Sequence, residues 1–334
     1  RMLDRTPPGA LRQLFDGMGL LCREEAEGRV YPYSGQAGAV LDALRFACAR
    51  QGVELLTQSR VTAIEPQKEG FRLLAQGGAF FARKVIVAAG GRAAPAFGAD
   101  GDGVGLLKAL GHAASPERPA LAPLRLPPQS IRGMKGVRLR AGVSLLCEGC
   151  AVKAESGEVI FSDASVSGVA AMQLCRDAAQ ALAQKKPVLL RLDLLPGLEA
   201  EPLLRARAAL LRAEAAERLF TGLLPTRAAL CLLRAAGYPP QGPARDAPLP
   251  ALAGLLHAWD LPVEGVGGFE QAQVTAGGLL LRDFCAETLE SRLVPGLYAC
   301  GEALDFDGDC GGYNLMWAWL SGHRAGAAAA EALP

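Results

Sequence analysis

The spacing of apolar positions changes as the chain proceeds. Over residues 7–19, Leu11, Leu14, Phe15 and Met18 recur at helical spacing. A short extended piece, 28–34, ends at Ser34, a candidate N-cap. From there a second amphipathic helix is predicted to about Arg50, with Val40, Leu41, Leu44 and Cys48 inward and Gly52 as its stop. The period then falls to two: residues 53–56, 61–64, 71–74 and 79–82 predict strands, the last two joined through Gly77-Gly78. Residues 84–88 are apolar on both faces, as a strand inside a covered parallel sheet must be, and run into Gly90-Gly91. This order predicts an α/β fold interrupted by an antiparallel excursion.

Pro116, Pro119, Pro123, Pro127 and Pro128 mark a boundary. Beyond it, 137–146, 151–154 and 159–161 alternate like short antiparallel strands, 199–236 reads as helical, and 237–250 as a proline-rich loop. The α/β pattern resumes with a buried strand at 297–300, a glycine-rich loop, and a helix from Tyr313 to about residue 330. The organisation expected is a first part at 1–115, an inserted β plus helical substrate-side region at 116–268, and a closing part at 269–334.

Composition narrows the class. Half of the 334 residues are hydrophobic and 21% are charged, enough for a full core. Lys+Arg 35 against Asp+Glu 34 leaves a net charge of +1 with both signs mixed, so no nucleic-acid partner is expected. No apolar run reaches the ~18 residues of a membrane span, and the first residues carry no apolar leader. Nine scattered cysteines, an odd number in a chain with an ample core, read as reduced thiols. Together these predict a cytoplasmic protein without a membrane partner.

The strongest chemical signal is the run 296–302, in which a strand delivers Glu302 at its C-terminal end, followed by Gly308, Gly311-Gly312 and a helix. Ligands of open α/β sheets bind at strand C-termini, glycines admit close backbone approach, and a helix start offers unpaired N–H groups. A flavin suits this arrangement: Glu302 accepts ribityl hydroxyls, and the helix N-terminus faces the pyrimidine edge. The same glycines also suit a tight turn between a strand and a packed helix. Gly90-Gly91 offers a second close approach, for a dinucleotide. By contrast, 101–105 is too short and too late for a Rossmann fingerprint and reads as a turn capping a helix that starts near Gly103. Cys147 and Cys150 form a CxxC, which reads as a redox pair, half of a zinc site, or two structural residues flanking a hairpin turn; no second CxxC or paired His accompanies it, so no metal is expected. Cys310, before Gly311, points either to redox or proton-transfer chemistry or to a plain structural role. His112, His257 and His323 are far apart and read as structural. The catalytic residues are not legible.

Several long motifs in one order carry a resemblance. They are GRVYPYS at 28–34, AAGGRAAPAFGADGDG at 88–103, LGH at 110–112, GEVIFSDASVSG at 157–168, VTAGGL at 274–279, and TLESRLVPGLYACGEALDFDGDCGGYNLMWAW at 288–319. Through them the chain resembles the BaiN-type, aminoacetone-oxidase-like family of NAD(P)/FAD-dependent flavoproteins. The resemblance implies an FAD-binding Rossmann-like domain of the two-dinucleotide-binding type, split by a β-barrel-like and helical insertion. It implies FAD contacts at Gly301, Glu302, Gly311, Gly312, Tyr313, Asn314 and Leu315, with the adenosine half beside Val61 and near Gly90 and Gly91. It further implies hydride transfer with a ketone- or amine-like substrate, amino-ketone oxidation and reduction of unsaturated steroid-like ketones both being within the family, and it admits NAD(P)H. The family opens with a strand, a Gly-x-Gly-x-x-Gly turn and a helix; no such run occurs in this sequence, so the domain is expected to be N-terminally incomplete. Loss of two charge-assisted bonds to the pyrophosphate would weaken a flavin site by ~10²–10⁴-fold. The alternative expectation is a flavin-free fragment or a non-catalytic binding module.

Overall fold

The computed structural model describes residues 9–25 and 28–333. The chain divides into two compact units: one holds Arg1–Arg92, Ala99–Glu117 and Gly277–Pro334, the other Ala93–Gly98 and Arg118–Ala276.

The first unit is built on a parallel strand pair. Leu297–Ala299 lies beside Val85–Val87 in the register Leu297↔Val85, Tyr298↔Ile86, Ala299↔Val87. Leu297, Tyr298 and Ala299 are all buried, which is why this stretch reads as a continuous apolar run. The helix Tyr313–Glu331 contributes Trp317, Ala325 and Ala329 to the same hydrophobic cluster. An antiparallel meander, Val61–Gln67, Gly70–Ala75 and Gly78–Ala82, supplies Ile64 and Phe71 to it. A smaller cluster joins Phe15 of the helix Ala10–Gly17 to Ala43 of the helix Gly38–Arg50, with the Phe15 ring edge-on to Trp319 at 4.8 Å.

The N-terminal part of this unit departs from the sequence pattern in three places. Residues 53–56 form no strand; Gly52 turns the chain at φ +67°, and Val53, Leu55 and Leu56 are exposed. Ser34 does not cap the following helix, because a turn at Gly35 (φ +69°) intervenes and the helix starts at Gly38. Its inward face is Ala39, Val40, Ala43 and Leu44, while Leu41 points to solvent. The helical reading of residues 7 and 8 lies outside the described residues.

The second unit is an antiparallel sheet of seven strands. Its order is Trp259–Pro262, Val188–Asp193, Arg138–Cys147, Cys150–Phe161, Ser165–Ser167, Leu124–Arg125, Gly265–Val266. The first and last strands of that order are neighbours in the chain. Val263 donates its N–H to Val188 at one edge (2.9 Å) and Glu264 donates to Arg125 at the other (2.9 Å). The sheet therefore curls as a barrel does, but among the described residues no ladder closes it. The helices Cys175–Ala183, Ala200–Leu211, Thr226–Ala235 and Leu249–His257 share one core with this sheet, through residues such as Leu190, Leu204, Leu232 and Leu252. The last of these helices lies partly inside the stretch read as a proline-rich loop. Pro250 sits in its first turn, where a missing N–H removes no helical bond.

Candidate dinucleotide site

The parallel pairing brings two distant glycine segments to one end of the strands. Cys300 donates to Val87 (3.0 Å), so the chain leaves both strands side by side, into Gly90-Gly91 and into Gly301-Glu302. Gly90 (φ +72°) and Gly301 (φ +68°) hold left-handed conformations that side chains disfavour. A Cβ on Gly90 would meet nothing within 4 Å, and one on Gly301 only Ala318 at 4.0 Å, so open space lies over both.

Gly301 is fixed from the helix behind it. Its N–H donates to Ser321 Oγ (2.9 Å), and its carbonyl accepts from Trp317 Nε1 (3.0 Å). Ser321, fully buried, donates in turn to the Trp317 carbonyl at 2.6 Å. Trp317 packs on Phe306 with ring centroids 4.3 Å apart. Glu302 follows in the short turn Gly301–Ala303 and is half-buried. The segment after it is pinned by Asp305, whose N–H donates to Leu279 (2.8 Å) and whose carboxylate accepts from Ser115 (2.7 Å).

The loop into the C-terminal helix is held by a side chain that imitates backbone. Asn314 Oδ1 accepts from the Gly308 N–H (2.8 Å), and Asn314 Nδ2 donates to the Gly308 carbonyl (2.9 Å). Gly308 and Gly311 pack against Tyr313, where an added Cβ would come within 3.0 and 3.1 Å. Gly312, at φ +93° with open space around it, begins the helix, and no side chain caps it. The amides of Tyr313, Asn314 and Leu315 thus have no intrahelical acceptor, while the side chains of Tyr313 and Leu315 are exposed. Gly312 thus stands in open space at the positive end of a 19-residue helix.

Val61 stands elsewhere. It lines a cavity of about 450 Å³ together with Arg60, Ile64, Asp102 and Leu106, among others, and none of the other expected site residues lines it. Its strand, Val61–Gln67, is an edge strand of the meander with an irregular register between Val61 and Ala63. Arg60 bridges Asp100 and Asp102 (2.5 Å to the latter) beside this cavity.

Of the residues sequence reasoning did not single out, Ser321, Ser115 and Asp305 position the site. Ser321 was legible in principle: it follows Asn314 and Trp317 by seven and four residues, on one helical face. Ser115 and Asp305 meet only through the fold. The thiol of Cys300 is buried and pushed up to about 11 by that burial, so it stays protonated near neutrality. Cys310 is half-buried. His112 is a buried tie: Nδ1 meets the Leu107 carbonyl (3.0 Å) and Nε2 the Ser291 hydroxyl (2.7 Å), which also accepts from the amides of Leu293 and Val294. His257 pairs with Asp193 (3.1 Å), and His323 is exposed. Among the described residues no cluster of His, Cys, Asp and Glu is arranged to hold a metal, and no helix is long and apolar enough to cross a membrane.

Parallel strands ending in glycine turns, with a helix packed behind them, are the marks of a Rossmann-like α/β domain. Residues 1–328 match the HI0933-like protein Rossmann domain, and the chain belongs to that family. It is 35% identical to the 3-dehydro-bile acid delta(4,6)-reductase of Clostridium scindens, over 97% of this chain and 80% of that one. It is 27% identical to the ribosomal RNA dihydrouridine synthase of Escherichia coli, over 92% of this chain and 76% of the relative. The corresponding Haemophilus influenzae enzyme is 25% identical over 91% of this chain and 75% of its own.

Proposed function

We propose that this chain is an FAD-dependent cytoplasmic oxidoreductase that saturates a carbon–carbon double bond conjugated to a carbonyl in a small organic substrate, with NAD(P)H as reductant. The observation that carries this reading is the convergence of Gly90-Gly91, Gly301-Glu302 and the uncapped start of the helix Tyr313–Glu331 at one end of a parallel strand pair. The residues fit such a cofactor: a Cβ placed on Gly90 or Gly312 would meet nothing within 4 Å, and the amides of 313–315 lack intrahelical acceptors. Bound flavin would supply hydride transfer between the nicotinamide and the substrate.

The chain's own residues do the rest. Glu302 would accept hydrogen bonds from the ribityl chain. Gly301 would contribute by lacking a side chain, since both of its backbone polar groups are used within the chain. The helix start at Gly311, Gly312, Tyr313, Asn314 and Leu315 would stabilise negative charge on the reduced ring; up to about 2 kcal/mol of dipole interaction corresponds to about 40 mV for a two-electron couple. The open strand edge at Val61 would receive the adenosine end. The names of the relatives support the reaction class: a delta(4,6)-reductase of a 3-dehydro-bile acid and a dihydrouridine synthase both point to saturation of a double bond beside a carbonyl.

The test is FAD titration followed by visible absorbance. The parent protein should acquire a flavin spectrum, and Gly312→Val should bind at least ten-fold more weakly, because its side chain would occupy the helix mouth in a left-handed conformation. A parent that is colourless once free FAD has been removed by gel filtration overturns this reading in favour of a flavin-free binding module. One observation favours uracil in RNA as a second substrate class. Residues 118–147 contain Arg118, Arg125, Arg132, Lys135, Arg138 and Arg140 and no acidic residue, a local basic run that the net charge of +1 conceals. Anaerobic turnover with an unsaturated 3-oxo steroid against a uridine-rich RNA, with salt-dependent RNA binding alongside, separates the two.

A further inference from the structure

The tip of the long hairpin in the second unit carries a pair of thiols in register. Arg138–Cys147 and Cys150–Phe161 pair antiparallel, and Cys147 and Cys150 are direct partners across the ladder. Between them Glu148 (φ +53°) and Gly149 (φ +82°) both adopt left-handed conformations, as the tight two-residue hairpin turn requires. Directly opposed residues project to the same face of a sheet, and their Cα atoms lie about 4.5–5.5 Å apart. That spacing falls inside the roughly 4.4–6.8 Å window of a disulfide. Both cysteines are free, Cys150 exposed and Cys147 half-buried.

The surroundings hold this register from both sides. Cys147 is also the ladder partner of Val188 on the neighbouring strand, and it packs against the main core of the unit. The Glu148 N–H donates to the Pro187 carbonyl (3.1 Å), and Lys186 pairs with the Glu148 carboxylate (2.9 Å). The turn is thereby fastened to the adjacent strand. A short irregularity between Ala151 and Lys153 lies just beyond, at the solvent end of the hairpin.

The geometry points to a reversible dithiol–disulfide site at Cys147 and Cys150, whose reaction partners are low-molecular-weight disulfides of the glutathione class. The exposed Cys150, as thiolate, attacks one sulfur of the small disulfide; that S–S bond breaks, and a mixed disulfide and one small thiolate result. Cys147, as thiolate, then attacks the Cys150 sulfur, forming the intramolecular bond and releasing the second small thiolate. The two cysteines lose two electrons, the small disulfide gains them, and the two thiol protons end on the two released thiolates. Reduction runs through the same steps in reverse. An exposed bond at a hairpin tip belongs to the readily reduced, labile kind rather than to the buried structural kind.

The experiment is intact-mass spectrometry of the whole protein, with peptide mapping, after incubation with oxidised glutathione and again after dithiothreitol. The parent is expected to lose the mass of two hydrogens, with the 147–150 peptide cross-linked, and to regain it on reduction. Cys147→Ser is expected instead to stop at the mixed disulfide, carrying one glutathionyl group on Cys150. A parent that keeps a glutathionyl group on Cys150, or whose 147–150 peptide remains unlinked while other cysteines react, overturns the assignment. Should Cys147→Ser fail to fold, the peptide map of the parent alone decides.

Discussion

Gly301 shows what a single position contributes when its backbone, not its side chain, is committed. Its N–H and carbonyl are bound to Ser321 and Trp317. Ser321→Ala should therefore leave the Gly301 amide without its acceptor, lowering stability by about 1–3 kcal/mol. Denaturant unfolding measures that loss, and flavin affinity should fall with it. Glu117 makes a different statement. Its Oε1 is buried with no hydrogen-bond partner, and burial raises its carboxyl above the ordinary 4.5 against the opposing pull of Arg92 and Lys108. The folded chain then holds this proton more tightly than the unfolded chain does. Stability consequently declines as pH rises from 4.5 through the raised folded value, and remains reduced above it. Glu117→Gln should melt higher than the parent at pH 7, with the difference closing below pH 4.5. At this scale the sequence disclosed the glycines, whose placement after apolar runs is a local signal. It did not disclose Ser115, Asp305 or Glu117, because what these residues do is decided by partners remote in the chain.

At the scale of elements, legibility followed the reach of the interactions. The strands at 85–87 and 297–299 and the C-terminal helix were readable because an uninterrupted apolar run and a helical repeat are properties of the segment itself. Residues 53–56 misled for the same reason: an apolar run predicts a strand, yet strand formation needs a partner, and none lies alongside among the described residues. The hairpin 138–161 was read as shorter pieces, since the stretch Glu155 to Glu158 within its second strand is held by pairing rather than by burial. The tie between His112, after the helix Asp102–Lys108, and the loop at Ser291 offers a measurement at this level. Ser291→Ala removes the hydroxyl that meets His112 and accepts from two amides, and should cost about 2–4 kcal/mol. Hydrogen exchange should then localise faster opening to residues 291–294 and the helix before His112.

For the molecule as a whole, the antiparallel unit contains a continuous core drawn almost entirely from residues 118–276. That stretch expressed alone should unfold cooperatively on heating, as circular dichroism would record; a gradual, uncooperative loss would show that its core depends on the rest of the chain. The α/β class was legible in the order of elements, whereas the curling of this sheet was expected from the family resemblance alone, because it joins residues near 124, 188 and 264 that share no local pattern. The bend at Val263 and Glu264 works as a buckle on a strap. Consecutive amides fasten opposite margins, so one margin cannot lift without dragging the other, and both should give way in a single event. The strands flanking the buckle, of four and two residues, leave little length for a foreign chain to pair with. On the four-residue margin, Asp260 is in turn ion-paired to Arg191 of the neighbouring strand, which adds a charge against such pairing.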